Sequence, residues 1–275
     1  MRALRTVLAG GAIAIASIVL WGAIPEEMLA QDAAPSLAGN EVLKVLGEDV
    51  VGAPESAPPL NDPGRVARWE PGEWRYRVMT GSRKGQTEQE SLEPIGTTAR
   101  GESWKRTVGQ DYTLFLRQSA DGSLVLPSQV AHIHSALVYF DPPLSYLLAG
   151  MNPGESRTFD GRMEVYSSKD PSVRWYGGRI RATTVYAGVY QVRTPAGAFR
   201  ATLIRTEYRI DIFAVVSVRD TLYTFYADGV GKVAEAEHRR ISAVGLFNSD
   251  TYIGKLLLSF TPLVPAAPPA KVESP

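Results

Sequence analysis

Residues 185–211 read VYAGVYQVRTPAGAFRATLIRTEYRID, and residues 216–238 read VSVRDTLYTFYADGVGKVAEAEH. The two runs parse as strand, tight turn, strand, longer loop, strand, tight turn, strand. Pro195 fixes the backbone at the first central position of a turn, and Gly197 accepts the left-handed geometry that closes a bulged three-residue hairpin. Such turns dictate antiparallel pairing. Alternation then groups Tyr186, Tyr190 and Val192 on one face of the incoming arm, and Ile204, Thr206, Tyr208, Ile210 and Ile212 on one face of the outgoing arm. Stripes of this period call for a sheet with one covered face.

The same rhythm extends outward in both directions. Gly72 to Thr80 alternates, with Trp74, Tyr76 and Val78 opposite Arg75 and Arg77, and Gly81 to Gly85 turns the chain. Thr87 to Ile95 is polar for a strand and is expected at an edge or facing water. Asp121 and Gly122, Asn152 to Gly154, and Asn248 to Asp250 punctuate further strands, among them Val130 to Phe140, which Asp141, Pro142 and Pro143 should end. The apolar Leu144 to Ala149 fits a helical turn or a buried strand equally. About twelve strands and little helix result, so the expectation is an all-β chain, a single curved antiparallel sheet or open β-barrel, spanning 66–260.

The pair VRTPAGAF (Val192 to Phe199) and FYADGVGKV (Phe225 to Val233) resembles the paired signature of the 3108-like group of exported bacterial domain-of-unknown-function proteins. In that group a Pro-Ala-Gly hairpin with a Phe two residues on precedes an aromatic, Gly-Val-Gly and apolar strand ending. The match covers about sixty residues closely, and Trp69 to Ser168 by strand rhythm alone. The resemblance implies a curved antiparallel sheet or open barrel in the cell envelope, with turn-forming Pro195, Gly197, Gly229 and Gly231, and brings no catalytic residues with it.

The ends have a different character. Arg2 and Arg5 precede an uncharged run from Thr6 to Ala23, followed by Pro25, Glu26 and Glu27. This composition describes an export signal or membrane anchor over residues 1–24, with residues 6–24 as the tether if it is not cleaved. Residues 25–65 are Pro- and Ala-rich and read as a linker, apart from a short helix expected at Asn40 to Leu46. Residues 261–275 read as an unstructured Pro-rich tail. The expected location is the periplasm or cell envelope.

Composition excludes several functions. The chain has no cysteine, which removes disulfide scaffolds, thiolate metal sites and a lipid-modified N-terminal Cys. Lys and Arg number 29 against 29 Asp and Glu, so the total carries no nucleic-acid footprint. Locally Arg174, Arg179, Arg181, Arg193, Arg200, Arg205 and Arg209 are dense, and they read as a water-facing side of the sheet. The acidic pairs Glu88 with Glu90 and Glu235 with Glu237 read as solvated strand positions. No G-x-S-x-G elbow or phosphate-binding glycine loop is present, and no cofactor is expected.

Two functional expectations follow. A concave face too wide to be filled by its own side chains would leave a groove for an apolar ligand or a segment of an envelope partner, with Trp74, Tyr186, Tyr190, Tyr208 and Phe225 as its aromatic lining. The alternative is a metal-dependent hydrolase or lyase with zinc on His132, His134 and His238. It rests on His132 and His134 sharing one face of a strand.

Overall fold

Turn residues set the register of the observed sheet. Strand β9 (Arg174–Thr194) runs into β10 (Gly197–Ile212) through the Pro195-Ala196 turn, where Thr194 Oγ1 accepts the Ala196 N–H at 3.1 Å. Strands β11 (Val216–Ala227) and β12 (Gly231–Ala243) are joined by Asp228-Gly229-Val230, with Gly229 and Gly231 at φ of 69° and 86°. The computed structural model describes residue 37 and residues 40–98, 101–212, 216–243 and 247–263. The segment expected to be an export signal or anchor, 1–24, the first part of the expected linker and the expected tail beyond Leu263 lie outside the described residues.

The other strands are β1 (Val51–Glu55), β2 (Gly72–Val78), β3 (Thr87–Thr98), β4 (Gly101–Val108), β5 (Tyr112–Gln118), β6 (Leu124–Ala131), β7 (Ala136–Leu147), β8 (Ser156–Ser167) and β13 (Phe247–Pro262). Twelve of the thirteen form an antiparallel ring in the order β9-β10-β11-β12-β13-β2-β3-β4-β5-β6-β7-β8, and β8 pairs with β9 to close it. The barrel is therefore closed rather than open. Strand β1 pairs with β9 from Val189 to Val192, beyond the stretch of β9 that β8 occupies. A barrel of about eight strands is just filled by its own side chains, so twelve leave an interior wide enough for large polar residues as well.

Strand β7 passes through Asp141-Pro142-Pro143 without ending, and Leu144 to Leu147 continues it as strand with Leu144 and Leu147 buried. Strand β3 is central, between β2 and β4, instead of at an edge. Facing outward, Arg181, Arg209, Arg219 and Arg240 stand in one register row across β9 to β12, with Asp160 and Asp250 at its ends. A charged belt of this kind suits contact with water and not with lipid hydrocarbon.

The stretch read as a linker is packed from Asn40 onward. A 3-10 turn at Leu43–Leu46 buries Leu43 and Leu46, and Asn40 Nδ2 donates to Tyr223 Oη at 2.7 Å. Gly254 fits closely beneath this turn, since a Cβ there would lie 3.0 Å from Val45. Further on, Leu60 bridges Met151, and helix α1 (Pro63–Val66), capped by Asp62 Oδ1 on the Arg65 N–H at 2.9 Å, packs with Leu124, Leu147 and Tyr186 at one end of the barrel. Apolar residues among the prolines, Leu43, Leu46 and Leu60, give the segment enough buried surface to order it.

One irregularity reassigns the expected aromatic stripe. Register slips between Leu203 and Ile204, so that Tyr186 faces Ile204 while Gly188 faces Leu203, and Ala187 is left over as a bulge. Gly188 takes φ of 115° there. An extra residue exchanges inside and outside along the strand. Tyr186 accordingly lies on the interior side, and Tyr190 and Val192 lie outside, where Tyr190 packs edge-on to Phe225 with ring centroids 6.5 Å apart.

Candidate functional site

Inside the ring, strands β3, β4, β12 and β13 project charge. On β3, Glu88 and Glu90 alternate with outward residues, so both point inward, and Glu90 has no exposed surface. Glu90 Oε2 accepts from Arg106 Nε at 2.9 Å and Nη2 at 2.7 Å, and its Oε1 accepts from Lys232 Nζ at 2.7 Å. Lys232 also donates to Glu235 Oε2 at 2.7 Å. Lys255 lies between Glu235 Oε1 at 3.1 Å and Glu88 Oε1 at 2.7 Å, and Arg83 links Glu88 Oε2, at 3.3 Å, to Asp111 Oδ2, at 2.8 Å. The ion pairs thus form one continuous chain from Arg106 to Asp111.

Aromatic faces support it. Trp74 lies under the Arg106 guanidinium, 5.3 Å from ring centroid to Cζ, and Tyr76 lies under Lys232 Nζ at 5.0 Å. The two aromatics anchor themselves by donating to backbone carbonyls, Trp74 Nε1 to Val230 at 2.6 Å and Tyr76 Oη to Lys232 at 2.9 Å. Burial alone would raise the Glu90 carboxyl; the charges of Lys232, Arg106 and Lys255 outweigh it and hold the group below its ordinary range. Glu235 is likewise held below its ordinary range, since burial is opposed there by Lys232 and Lys255, both hydrogen-bonded to it.

A second, smaller cluster sits on β11 and β12. Arg239 Nε reaches Asp220 Oδ2 at 3.2 Å, Arg239 Nη2 contacts Glu237 Oε1, and the Asp220 and Glu237 carboxyls meet each other. Burial pushes the Asp220 carboxyl well above the usual carboxylate range, Glu237 adds to the rise, and Arg239 only partly opposes it. Tyr112 hydrogen-bonds Arg239 from the other side.

Between these clusters and the rest of the ring lies a cavity of about 210 Å³. Its apolar wall comes from β5 to β10, with Leu114, Leu126, Phe140, Leu144, Ile180, Ile204 and Ile210. Its polar wall comes from β11 to β13 and β4, with Asp220, Lys232, Glu235, Glu237, Arg239, Lys255 and Arg106. Tyr146, Tyr208 and Tyr226 line it as well, and the Tyr146 and Tyr226 hydroxyls hydrogen-bond each other. The volume corresponds to roughly seven waters at ~30 Å³ each, less than a drug-sized ligand occupies.

The residues singled out in the sequence are distributed differently from expectation. Of the five aromatics assigned to a groove, Tyr208 lines the cavity, Trp74 supports its polar wall, and Tyr186 lies at the closed end with its hydroxyl donating to Pro58 O at 2.9 Å. Tyr190 and Phe225 are on the outer surface beneath the N-terminal segment. His132 and His134 are not in a strand. They occupy a 3-10 turn between β6 and β7, where Ser135 takes positive φ and the His132 ring meets Thr113 Oγ1 at 2.8 Å. His238 is on the outer face of β12, 2.7 Å from Asp250 Oδ1 and stacked on Tyr252 at 4.1 Å.

Strands β6 and β12 stand opposite each other, with five strands between them either way around the ring, so the three histidines do not converge. Among the described residues no group of three or more His, Cys, Asp or Glu is placed to hold a metal ion. The acidic pairs read as solvated face the interior instead, Glu88, Glu90 and Glu235 in the continuous chain and Glu237 in the smaller cluster. Alternation places Glu88, Glu90 and Leu92 on one face but is the same for a solvated face and a lumen, so it carried no signal of this burial.

No family model matches the chain, and no curated protein matches it. Two solved structures are similar. One is a candidate exported protein with YmcC-like fold from Bacteroides fragilis, at 16% identity and TM-score 0.40, covering 74% of this chain and 99% of that one. The other is a candidate lipoprotein from Parabacteroides distasonis, at 10% identity and TM-score 0.37, covering 75% of this chain and 100% of that one. At these levels the likeness transfers no activity or ligand to this chain.

Proposed function

We propose that the chain is a non-enzymatic binding barrel of the cell envelope, which takes up a small amphipathic molecule in its interior. One observation carries this reading: a single space of about 210 Å³ has an apolar arc on one side and a charged arc on the other. A ligand with a short hydrocarbon part and a polar end matches both walls, whereas a wholly apolar lipid would desolvate the charged one. Binding is favoured over turnover because Glu88, Glu90 and Glu235 are engaged by lysine and arginine, which holds these three carboxylates as ion pairs. Export belongs to the same reading and is supported by Arg2, Arg5 and the uncharged run Thr6 to Ala23.

The test is titration of the folded protein with n-hexanol, followed by NMR of the methyl groups lining the cavity. Saturable shifts at Leu114, Ile204 and Ile210 are expected, and Leu222→Trp, which fills the space from β11, should abolish them. Absence of any saturable shift in the unmodified protein overturns the reading. Cell fractionation addresses location separately, with the protein expected in the envelope fraction.

A further inference from the structure

The interior charges fall into two groups that differ in balance. Glu88, Glu90 and Glu235 are matched by Arg106, Lys232 and Lys255. Among the described residues, Asp220 and Glu237 share Arg239 as their one ion-pair partner. The second group therefore holds one negative charge in excess when both carboxyls are ionised, in a site where Asp220 is only 5% exposed. Among the described residues Asp220 Oδ1 is a buried oxygen with no hydrogen-bond partner, and Asp220 lines the cavity. A buried carboxyl pair with one cation needs a second positive charge, supplied by a proton or by something bound.

We propose that the cavity is a site for a small primary amine, whose ammonium group replaces the proton on the Asp220–Glu237 pair while its hydrocarbon part lies on the apolar wall. This rests on the binding-barrel reading and assigns its ligand class. Three features select an ammonium. It supplies the missing unit charge, it donates to the vacant Asp220 Oδ1 without needing an acceptor, and it is compact enough to sit beside Arg239. The groups facing it are Tyr208, directly opposite Asp220 on β10, then Glu237 and Arg239 on β12, and Tyr112 from β5. A carboxylate ligand would add a third negative charge to this end of the cavity.

The experiment compares n-hexylammonium, n-hexanol and hexanoate by isothermal titration calorimetry at pH 7 with the full chain, in two buffers of different ionisation enthalpy. Hexylammonium is expected to bind at least tenfold more tightly than hexanol and to release up to one proton, and hexanoate is expected not to bind. Asp220→Asn should remove the preference for the ammonium over hexanol, and Glu237→Gln provides a second variant that removes the same excess charge. Equal affinity for hexanol and hexylammonium, or a preference unchanged in both variants, overturns the amine assignment while leaving the binding-barrel reading in place. If none of the three probes binds, the binding-barrel reading fails and the amine assignment with it.

Discussion

Arg106 and Glu90, sixteen residues apart on neighbouring strands, meet inside the barrel through two hydrogen bonds of 2.9 and 2.7 Å to one carboxylate oxygen. The other oxygen is taken by Lys232, 142 residues away, so a single carboxylate holds two buried cations. Glu90→Ala would leave both without their shared partner, which typically costs about 3–5 kcal/mol. Urea denaturation should register that loss. A cost below about 1 kcal/mol would mean that water or rearranged neighbours solvate the pair as well as Glu90 does.

The ionised interior also fixes the response to acid. Glu90 and Glu235 are held below the ordinary glutamate value of 4.5. A carboxyl depressed in the folded state contributes stability above its unfolded value, and the contribution is lost as pH falls through the folded one. Stability should therefore decline below about pH 4.5, and Glu90→Gln should flatten the decline. Denaturation midpoints at pH 7, 5, 4 and 3 measure it; a profile unchanged down to pH 3 would contradict ionised pairs in the interior.

Asp220 has the opposite sign. Its carboxyl is raised in the folded state, so it destabilises the fold as pH rises above the unfolded value of 3.8, and costs nothing below it. Asp220→Asn removes the titrating group and should raise the melting temperature at pH 8 by a few degrees, roughly 2–4 °C for each kcal/mol in a chain of this size. The gain should vanish near pH 3.5. A loss of stability at both pH values would show that Asp220 is ionised and well paired in the folded protein.

The N-terminal segment gives a prediction about packing. Leu46, 1% exposed, fixes the 3-10 turn to the barrel against β12 and β13. Leu46→Ala should cost about 2–5 kcal/mol, within the range for buried leucines. Asn40→Ala, which removes the 2.7 Å bond to Tyr223, should cost about 1 kcal/mol. If residues 40–55 formed only a tether, both variants would melt with the unmodified protein.

How much of this was legible depended on range in sequence. The turns at Pro195-Ala196 and Asp228-Gly229 could be read because glycine and proline act on their immediate neighbours, and the antiparallel order of β9 to β12 followed from them. Whether Glu88 and Glu90 face water could not be read, because the alternation is the same for a solvated face and for a lumen. Only their partners, Arg106 on neighbouring β4 and Lys232 and Lys255 from β12 and β13, distant in sequence, distinguish the two. The histidine pair failed for a local reason: His132, Ile133 and His134 form a tight turn, and two-residue spacing has strand meaning only within a strand.

The bulge at Ala187 and Gly188 is the local feature whose effect reached furthest, since it decides which aromatics see the interior. Gly188 has φ of 115°, and a Cβ there would meet nothing closer than Tyr190 at 4.0 Å. Gly188→Ala therefore tests backbone conformation without a steric clash. The left-handed region disfavours L-residues, so the variant should lose about 1–2 kcal/mol if the bulge persists. The alternative is a strand that regularises, which would move Tyr190 and Val192 inward and break their contacts with Phe225 and β1. Near-ultraviolet circular dichroism separates the cases, because a persisting bulge leaves the Tyr190–Phe225 edge-on contact and its signal intact. Full stability for Gly188→Ala with an unchanged aromatic spectrum would show that the interior and exterior faces of β9 are held by packing alone, without help from the glycine.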